Sequence, residues 1–451
     1  MINILATIGP QSEKTENLRE FAKKTKLFRL NGSHNNLEWH EKTIKKIRKL
    51  CPDAFILLDV PGVKPRTQNI ESIEIKASME VLFGEKPKND KTFNINLTKP
   101  LPKYSKSLKT FSINDGQFYF DVLKHNKNYI IGKSRSSFTL LPKKGINLPN
   151  SLYDEKKQLE IYFEFIKKIS KFDINGLGLS FVQTPGLVTS VKKIVPELIL
   201  VSKIENSKGL DNCEKIINVS DAIMIDRGDL AAEIRISNLY NAIEHISAST
   251  KSVGKPLIMA TENLESMINR EVPSKSDIMS IVHSLSIGTD CIMLSEETAT
   301  AKNGRQILYW LSSFLSNLKP VEIKKIESKS SRKFHEMWRL VEKIDEIPVL
   351  IMTRSGYALF DYISIKIKSP IILVTSNPKL INIAKLFSNS IKVIDTPVRN
   401  YTPIEMIWGV INKHKNTIFE KNHKLAAIFV SKYVKGARAN CITFFDKKDF
   451  W

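Results

Sequence analysis

Short apolar runs alternate with segments of helical periodicity through the first three quarters of the chain. Continuous apolar runs of this kind are typical of parallel strands that helices cover on both faces. Eight strand–helix units in succession predict an α/β fold built on a (β/α)8 (TIM) barrel. The predicted barrel strands are residues 2–8, 27–30, 54–58, 176–181, 198–201, 222–225, 256–261 and 290–294.

The series is interrupted once, between about Arg66 and Asn150. Here the chain changes to short alternating segments that turn residues separate, at 72–75, 111–113, 118–122 and 129–132. We predict an inserted small β domain in this region. A loop of that length with no structure of its own would be uncommon.

A C-terminal α/β domain is predicted after the barrel. A Lys- and Ser-rich stretch at 324–333 indicates a linker or an exposed helix, and four further strands follow it, at 349–353, 371–374, 391–394 and 426–430. The predicted domain boundaries are 1–66 for the first part of the barrel, 67–148 for the inserted β domain, 149–320 for the second part of the barrel and 334–451 for the C-terminal domain.

Composition is that of a soluble globular protein, with 42% hydrophobic and 26% charged residues in a chain of 451. No apolar run could span a bilayer and no signal-type segment opens the chain, so we expect a cytoplasmic protein without a membrane partner. The four cysteines show neither metal spacing nor a disulfide framework. Lysines spread along the chain carry most of the net charge of +22. This distribution disfavours nucleic-acid binding and suits a modest attraction of anions.

Polar residues stand at the carboxyl ends of six of the eight predicted barrel strands, where barrels of this type keep their chemistry. A lysine among several carboxylates suits Mg²⁺ and phosphate, because Mg²⁺ prefers oxygen ligands and a lysine cancels charge on a migrating phosphoryl group. Salt bridges would explain either charged stretch, 201–206 or 224–230, taken alone, but their place on neighbouring strands favours a site. The strand-end residues are Arg29, Asn31, Ser33, Asp59, Lys203, Glu205, Asp226, Asp229, Thr261, Glu262, Ser295 and Glu296.

Seven motifs, in this order, resemble those of the pyruvate kinase family over almost the full length of the chain. They are ATIGP (6–10), RLNGSH (29–34), KGINLP (144–149), SKIEN (202–206), RGDL (227–230), LESM (264–267) and CIMLS (291–295). The resemblance implies a barrel with an inserted β domain and a C-terminal α/β domain. It also implies phosphoryl transfer from phosphoenolpyruvate to ADP, giving pyruvate and ATP, with Mg²⁺ or Mn²⁺ as cofactor. A homo-oligomer, either a dimer or a tetramer, is the expected assembly.

The resemblance further implies roles for individual residues. Lys203 and Arg29 would act on the transferring phosphoryl group, and Thr261 would take part in protonating the enolate. Glu205 and Asp229 would hold the divalent metal. Asp115 would close over the nucleotide. The full set of expected substrate- and nucleotide-binding residues is Arg66, Asn31, Ser33, Asp115, Gly228, Asp229 and Lys64, and Asn31 and Ser33 with Asp59 match ligands of the family's monovalent-cation site.

Several residues depart from the family's pattern. Val60 removes one ligand of the monovalent cation, and Lys64 replaces a glutamate, as in family members that do without potassium. We therefore expect that K⁺ is not required. Asp226 replaces a small apolar residue and places an extra carboxylate beside the metal. Glu262 and Glu296 are also added acids, and such groups would weaken the binding of an anionic substrate unless the site is rearranged.

Two classes of function stay open on this reasoning. One is an enzyme that uses phosphoenolpyruvate and ADP, or a relative with an altered substrate. The other is a weakly active or inactive homologue that binds ligands or regulates, or a basic scaffold. A scaffold needs none of the expected catalytic and metal-binding residues, so their joint presence favours the enzyme: Lys203, Glu205, Asp229, Arg29, Arg66 and Thr261.

Overall fold

The structure is a computed structural model, and it describes most of the chain. The described residues are 2–88, 90–324, 347–364, 369–387, 391–398, 404–420, 423–429 and 441–451. Within these ranges no helix combines the length and the apolar character needed to cross a membrane. Of the linker predicted at 324–333, only Lys324 lies among the described residues.

Strands and helices alternate along most of the described chain. Numbered along the chain, the strands are β1 (Asn3–Thr7), β2 (Leu27–Asn31), β3 (Phe55–Val60), β4 (Ile73–Ile75), β5 (Glu80–Gly84), β6 (Phe93–Ile95), β7 (Thr110–Ile113), β8 (Phe118–His125), β9 (Tyr129–Ser134), β10 (Phe138–Leu140), β11 (Ile146–Asn147), β12 (Gly176–Leu179), β13 (Ile199–Ile204), β14 (Ala222–Asp226), β15 (Leu257–Ala260), β16 (Cys291–Leu294), β17 (Val349–Met352), β18 (Ile371–Thr375), β19 (Lys392–Asp395), β20 (Lys424–Phe429) and β21 (Cys441–Asp446).

The α-helices are numbered in the same way. They are α1 (Thr15–Ala22), α2 (Leu37–Leu50), α3 (Glu155–Lys168), α4 (Pro185–Ile194), α5 (Ser207–Asp211), α6 (Cys213–Val219), α7 (Arg227–Ile234), α8 (Leu239–Ser252), α9 (Lys275–Ser286), α10 (Glu296–Ala299), α11 (Gly304–Asn317), α12 (Tyr357–Ser364), α13 (Pro378–Ala384) and α14 (Ile404–Ile418). Short 3₁₀ helices lie at Ile236–Asn238, Glu265–Ile268 and Lys447–Phe450.

Eight parallel strands close into a barrel, in the order β1, β16, β15, β14, β13, β12, β3 and β2. The predicted barrel fold is therefore confirmed. In the pairing of β13 with β14, Val201 lies opposite Ala222 and Ile204 lies opposite Ile225. The two strands thus end at the same level, and the residues that follow them meet at one end of the barrel.

Alternate residues of each barrel strand face the barrel interior, because side chains on a strand point to opposite faces in turn. In β14, Ala222 and Met224 belong to the interior core, whereas Ile223 and Ile225 pack against the outer helices. The next interior position is Asp226. Four such interior rows begin with apolar residues and end in a charged one, and they are Leu27–Arg29, Phe55–Leu57–Asp59, Ile199–Val201–Lys203 and Ala222–Met224–Asp226.

A six-stranded sheet lies between β3 and β12 in the sequence, with the strand order β11, β7, β8, β9, β5 and β6. The rings of Phe83, Phe111 and Phe120 lie 5.1 to 5.6 Å apart in its core. The predicted inserted β domain is present, although β5, β6, β10 and β11 were not among the predicted strands. At the β7–β8 turn, Gly116 approaches α7 so closely that a Cβ added to it would lie 3.4 Å from the Cβ of Ala232.

The C-terminal part of the described chain forms a five-stranded sheet in the order β19, β18, β17, β20 and β21. All its pairs are parallel except β20 with β21. It lies against the amino-terminal end of the barrel, where the Asn3 side chain donates hydrogen bonds to the carbonyl oxygens of Lys385 and Phe387 at 2.9 and 2.6 Å. The predicted C-terminal α/β domain is therefore present, whereas the exact domain boundaries stay predictions.

Candidate active site

A buried lysine stands among three carboxylates where β13 and β14 end. Lys203 Nζ lies 3.5 Å from Asp59 Oδ2 and 3.4 Å from Asp226 Oδ2, and it also contacts Glu205 Oε1. Burial alone would lower the pKa of Lys203, but Glu205, Asp59 and Asp226 raise it above its ordinary value. The ammonium group is therefore permanently charged at neutral pH.

Arg29 brings a second cation to the same carboxylates. Its Nε and Nη2 donate to Asp59 Oδ2 at 3.0 and 2.7 Å, and its Nη1 donates to Thr7 Oγ1 at 3.0 Å. Burial opposes ionisation of Asp59, yet Arg29 and Lys203 hold the pKa of this carboxyl below its usual value. Asp59 therefore joins the two cations into one charged unit.

Three carboxylates at this end of the barrel converge closely enough to hold one metal ion. One oxygen from each of Glu205, Asp226 and Asp229 lies within 4.8 Å of the others. We call these three residues, together with Arg29, Asp59 and Lys203, the inner cluster. The metal ligands predicted from the sequence were Glu205 and Asp229. Asp226 had been recognised only as an extra carboxylate beside them, and the structure adds it to the group.

The donor set fits a hard divalent cation, because Mg²⁺ and Mn²⁺ take carboxylate oxygens. Glu205 is fully buried. One of its oxygens accepts from the backbone N–H of Phe181 at 2.7 Å, and the other has no partner among the described residues except the ammonium group of Lys203. Burial raises the pKa of Glu205 to about 8, and the charges of Asp226 and Asp229 act in the same direction. A divalent cation would remove this penalty on the charged form.

Thr261 is positioned by an unusual backbone conformation. Its φ of 61° lies in the left-handed region, which is a strained conformation for a β-branched residue. The side chain of Arg227 holds this turn, because its Nε donates to the carbonyl oxygen of Thr261 at 3.1 Å. The Thr261 hydroxyl accepts from Gly228 N–H at 3.1 Å. Two acceptors share its single hydrogen, the carbonyl oxygen of Ala260 at 2.7 Å and Asp226 Oδ1 at 3.2 Å. Thr261 thus faces the inner cluster.

Lys64 contacts the inner cluster from the loop after β3. Only 4% of the residue is exposed. Its Nζ contacts Asp229 Oδ1 and lies 3.2 Å from Oδ1 of Asp115, which stands at the β7–β8 turn. Burial would lower the pKa of Lys64, but Asp229 and then Asp115 raise it above its ordinary value. Lys64, which the sequence placed among the expected binding residues, is therefore buried, and its direct partner, Asp229, was not predicted.

Three of the predicted binding residues lie at the edge of the inner cluster. Asn31 Oδ1 accepts from the backbone N–H of Ser33 at 3.1 Å, so these two residues shape the turn after β2. Arg66 donates from Nη1 to the carbonyl oxygen of Lys143 at 3.2 Å. Burial lowers the pKa of the neighbouring His34 to about 4, and the charges of Arg66 and Arg29 add to this effect. The positive charges of the two arginines therefore reach the same part of the site, around His34.

Comparison with known proteins places the chain in a family. The model of the pyruvate kinase barrel domain matches residues 1–306. The chain belongs to the pyruvate kinase family. The pyruvate kinase of Thermotoga maritima is 28% identical over 399 residues, which cover 83% of this chain and 84% of that protein. That of Thermococcus litoralis is 32% identical over 311 residues, 66% of each chain. That of Bacillus licheniformis is 28% identical over 461 residues, 94% of this chain and 77% of the relative.

One buried carboxyl group near the site of this pyruvate kinase family member escaped the sequence reasoning. Glu233, in α7, is fully buried. Its oxygens lie 3.2 Å from the Tyr153 hydroxyl and 3.4 Å from the Ser151 hydroxyl. Burial raises the pKa of Glu233 to about 8. The available signal was a single glutamate among apolar residues in a short helix whose first turn carries two expected site residues, Gly228 and Asp229.

Proposed function

We propose that this chain catalyses phosphoryl transfer from phosphoenolpyruvate to ADP, giving pyruvate and ATP, in the cytoplasm. The observation that carries the proposal is the placement of Lys203 among Asp59, Glu205 and Asp226 at the carboxyl end of a barrel, in a member of the pyruvate kinase family. Catalysis of such a transfer depends mainly on positioning and on neutralising charge. Charged groups fixed in a buried site are suited to both tasks.

Lys203 and Arg29 would neutralise the phosphoryl group during transfer. Both cations are paired with carboxylates of the inner cluster. An anionic substrate would offer new partners to both, so binding replaces internal ion pairs with pairs to the phosphoryl oxygens. Arg66, at the edge of the inner cluster, would bind nucleotide phosphates, since a guanidinium group matches their geometry. Asp115 would approach the nucleotide from the inserted sheet, and Asn31 and Ser33 would contribute from the turn after β2.

Glu205 and Asp229 would hold Mg²⁺ or Mn²⁺. When bound, the ion supplies positive charge to the substrate oxygens on which negative charge develops. Gly228 belongs to the first turn of α7, where a side chain would limit the approach of substrate to the backbone. Thr261 would donate its hydroxyl proton toward the enolate carbon. Its hydrogen bond from Gly228 N–H fixes the position of the oxygen that carries this proton.

We also propose that the reaction does not require potassium. A monovalent-cation site needs several converging oxygens. The side chain of Val60 offers none, and its carbonyl oxygen accepts from the Ser180 hydroxyl at 2.9 Å. Oδ2 of Asp59, another expected ligand, is already engaged by Arg29 and Lys203. The charge of such an ion would be supplied instead by the buried ammonium group of Lys64, which contacts Asp229.

A second candidate is a family member with an altered substrate or with little activity. The added acids favour it, because Asp226 lies in the inner cluster and Glu262 lies beside it. Burial raises the pKa of Glu262, and the charges of Asp226 and Asp115 add to that effect. Negative charge at these positions would weaken the binding of an anionic donor.

The test is an assay of the full-length chain in which pyruvate formation is coupled to NADH oxidation. We expect activity that requires both phosphoenolpyruvate and ADP, that disappears with EDTA and that returns with Mg²⁺ or Mn²⁺. The rate should be the same in sodium and potassium salts. A folded protein that forms no pyruvate under these conditions would contradict the proposal and favour the altered substrate, to be sought among other enolpyruvyl and acyl phosphates.

Light scattering of the full-length chain tests the homo-oligomer that the family resemblance implies.

A further inference from the structure

The metal ligands expected from the sequence were Glu205 and Asp229. Asp226 is the third carboxylate of the group that converges closely enough to hold one metal ion. It is the last interior residue of β14 and is 6% exposed. Its two oxygens have different neighbours: Oδ1 lies 3.2 Å from the Thr261 hydroxyl, and Oδ2 lies 3.4 Å from Lys203 Nζ. One oxygen therefore lies beside a hydroxyl group, and the other is turned toward a cation.

The position that Asp226 Oδ2 faces is also faced by Glu205. The same ammonium group, Lys203 Nζ, contacts Glu205 Oε1. That oxygen is buried and, apart from its ion pair with Lys203, accepts no hydrogen bond in the described part of the chain. Asp229, whose ligand oxygen lies within 4.8 Å of the other two, is paired with Lys64. The three carboxylates thus converge on positive charge, which two lysines supply.

We propose that Asp226 is a third protein ligand of the divalent cation, so that this chain binds Mn²⁺ or Mg²⁺ without any phosphate-bearing substrate. The proposal rests on the location of the metal site in the proposed function. The affinity of a carboxylate site rises with the number and charge of its ligands. Two carboxylates bind Mg²⁺ weakly until substrate oxygens complete the coordination shell, whereas three supply half of an octahedral shell from the protein itself.

The test is a titration of the full-length chain with Mn²⁺, in a buffer free of phosphate and nucleotide, followed by the electron paramagnetic resonance signal of free Mn²⁺. Mg²⁺ is then added as a competitor. We expect one site in the wild type. Asp226→Asn keeps the shape of the side chain and an oxygen that can accept from Thr261. It should weaken Mn²⁺ binding by about tenfold or more, because removing even a group that only supports a metal ligand costs about tenfold.

Glu262→Gln is the matched control, because it removes one negative charge close to Asp226 without removing a member of the three-carboxylate group. It should weaken Mn²⁺ binding much less than Asp226→Asn does. Circular dichroism confirms that each variant is folded. Equal Mn²⁺ affinities for Asp226→Asn and Glu262→Gln would overturn the proposal, as would a wild type that binds no Mn²⁺ without substrate. Tight Mn²⁺ binding without pyruvate formation would instead contradict the proposed function and leave Asp226 as a ligand.

Discussion

At the scale of single residues, one ammonium group links the carboxylates of the inner cluster. Lys203 contacts Asp59 from β3, Asp226 from β14 and Glu205 just beyond its own strand. All are buried. Breaking a buried ion pair by removing one partner costs about 3–5 kcal/mol, because the other charge is left without compensation. Lys203 therefore has a structural effect that must be separated from its proposed catalytic one.

Lys203→Met is expected to lower kcat by about a thousandfold or more, the scale of losing a major electrostatic donor, because methionine cannot neutralise the phosphoryl group. The measurement is steady-state kinetics with phosphoenolpyruvate and ADP, expressed per folded molecule. Lys251→Met is the control, since it removes another buried lysine, paired with Asp290 at 2.6 Å, at the opposite end of the barrel. It should lose stability but keep its kcat. Near-normal turnover in Lys203→Met would remove Lys203 from the mechanism.

Much of the inner cluster could be predicted from single residues and their spacing. Period-two alternation makes Arg29, Lys203 and Asp226 interior positions just beyond an apolar layer, and the barrel brings such positions together. The contact between Lys64 and Asp229 could not be predicted in this way. These residues are 165 positions apart, and the loop that carries Lys64 follows a path set by the inserted sheet.

At the scale of elements, α7 connects the inner cluster with the segment that returns from the inserted sheet to the barrel. Asp229 lies in its first turn, and Glu233 lies one turn further along. Glu233 contacts Tyr153 and Ser151 of the returning segment. Residues four apart lie on one face of a helix, so a change at Glu233 acts on the face that also carries Asp229.

Glu233→Gln is expected to change how stability depends on pH. Burial raises the pKa of Glu233 from 4.5 to about 8, so the folded state binds this proton more tightly than the unfolded state does. The stabilisation is complete below about pH 4.5 and is lost as the pH rises through about 8. Glutamine cannot ionise. From pH 6 to pH 9 the wild type should therefore lose about 2–3 kcal/mol of unfolding free energy relative to the variant.

Urea denaturation of both proteins at the two pH values measures this difference. Glu160→Gln, at an exposed position of α3, is the control and should follow the wild type at both. Parallel pH trends in the wild type and Glu233→Gln would show that the proton is not held on Glu233.

The ends of elements were predicted less well than their order, because local side chains decide where a helix or strand stops. A serine such as Ser12 is a residue that often starts a helix, but α1 begins at Thr15. The Ser12 hydroxyl instead accepts from Gly9 N–H at 3.0 Å and closes a turn. In the same way β13 runs to Ile204, three residues beyond its predicted end, since the charged Lys203 continues the strand toward its buried partners. Apolar runs alone do not contain this information.

At the scale of the whole molecule, Lys64 and α7 join the inserted sheet to the barrel. Asp115 on the β7–β8 turn contacts Lys64 across the cleft, and Gly116 packs against Ala232 of α7. The three-part architecture could be predicted from the change of hydrophobic period along the chain, because each part has its own pattern. The contacts between these parts could not be predicted, since they depend on side chains that lie far apart in the sequence.

The potassium requirement is therefore a property of how the parts meet, and Lys64→Glu tests it. In the wild type the ammonium group lies between Asp229 and Asp115. A glutamate there would place a third carboxylate beside two others, and like charges at such distances repel strongly in a buried site. We expect kcat/KM in sodium salts to fall sharply, and potassium to restore part of it by supplying the missing charge. The measurement is the coupled assay at constant ionic strength, with sodium exchanged for potassium.

Lys157→Glu gives the matched control, because it reverses the charge of a lysine on the exposed surface of α3 and changes the net charge equally. It should behave as the wild type does in both salts, since charges exposed to solvent are screened. Strong stimulation of the wild type by potassium over sodium would contradict the proposal, because the buried Lys64 would then not supply the charge of the ion. The same conclusion would follow if Lys64→Glu kept full activity in sodium, since the ammonium group between the two carboxylates would then have no part in binding an anionic substrate.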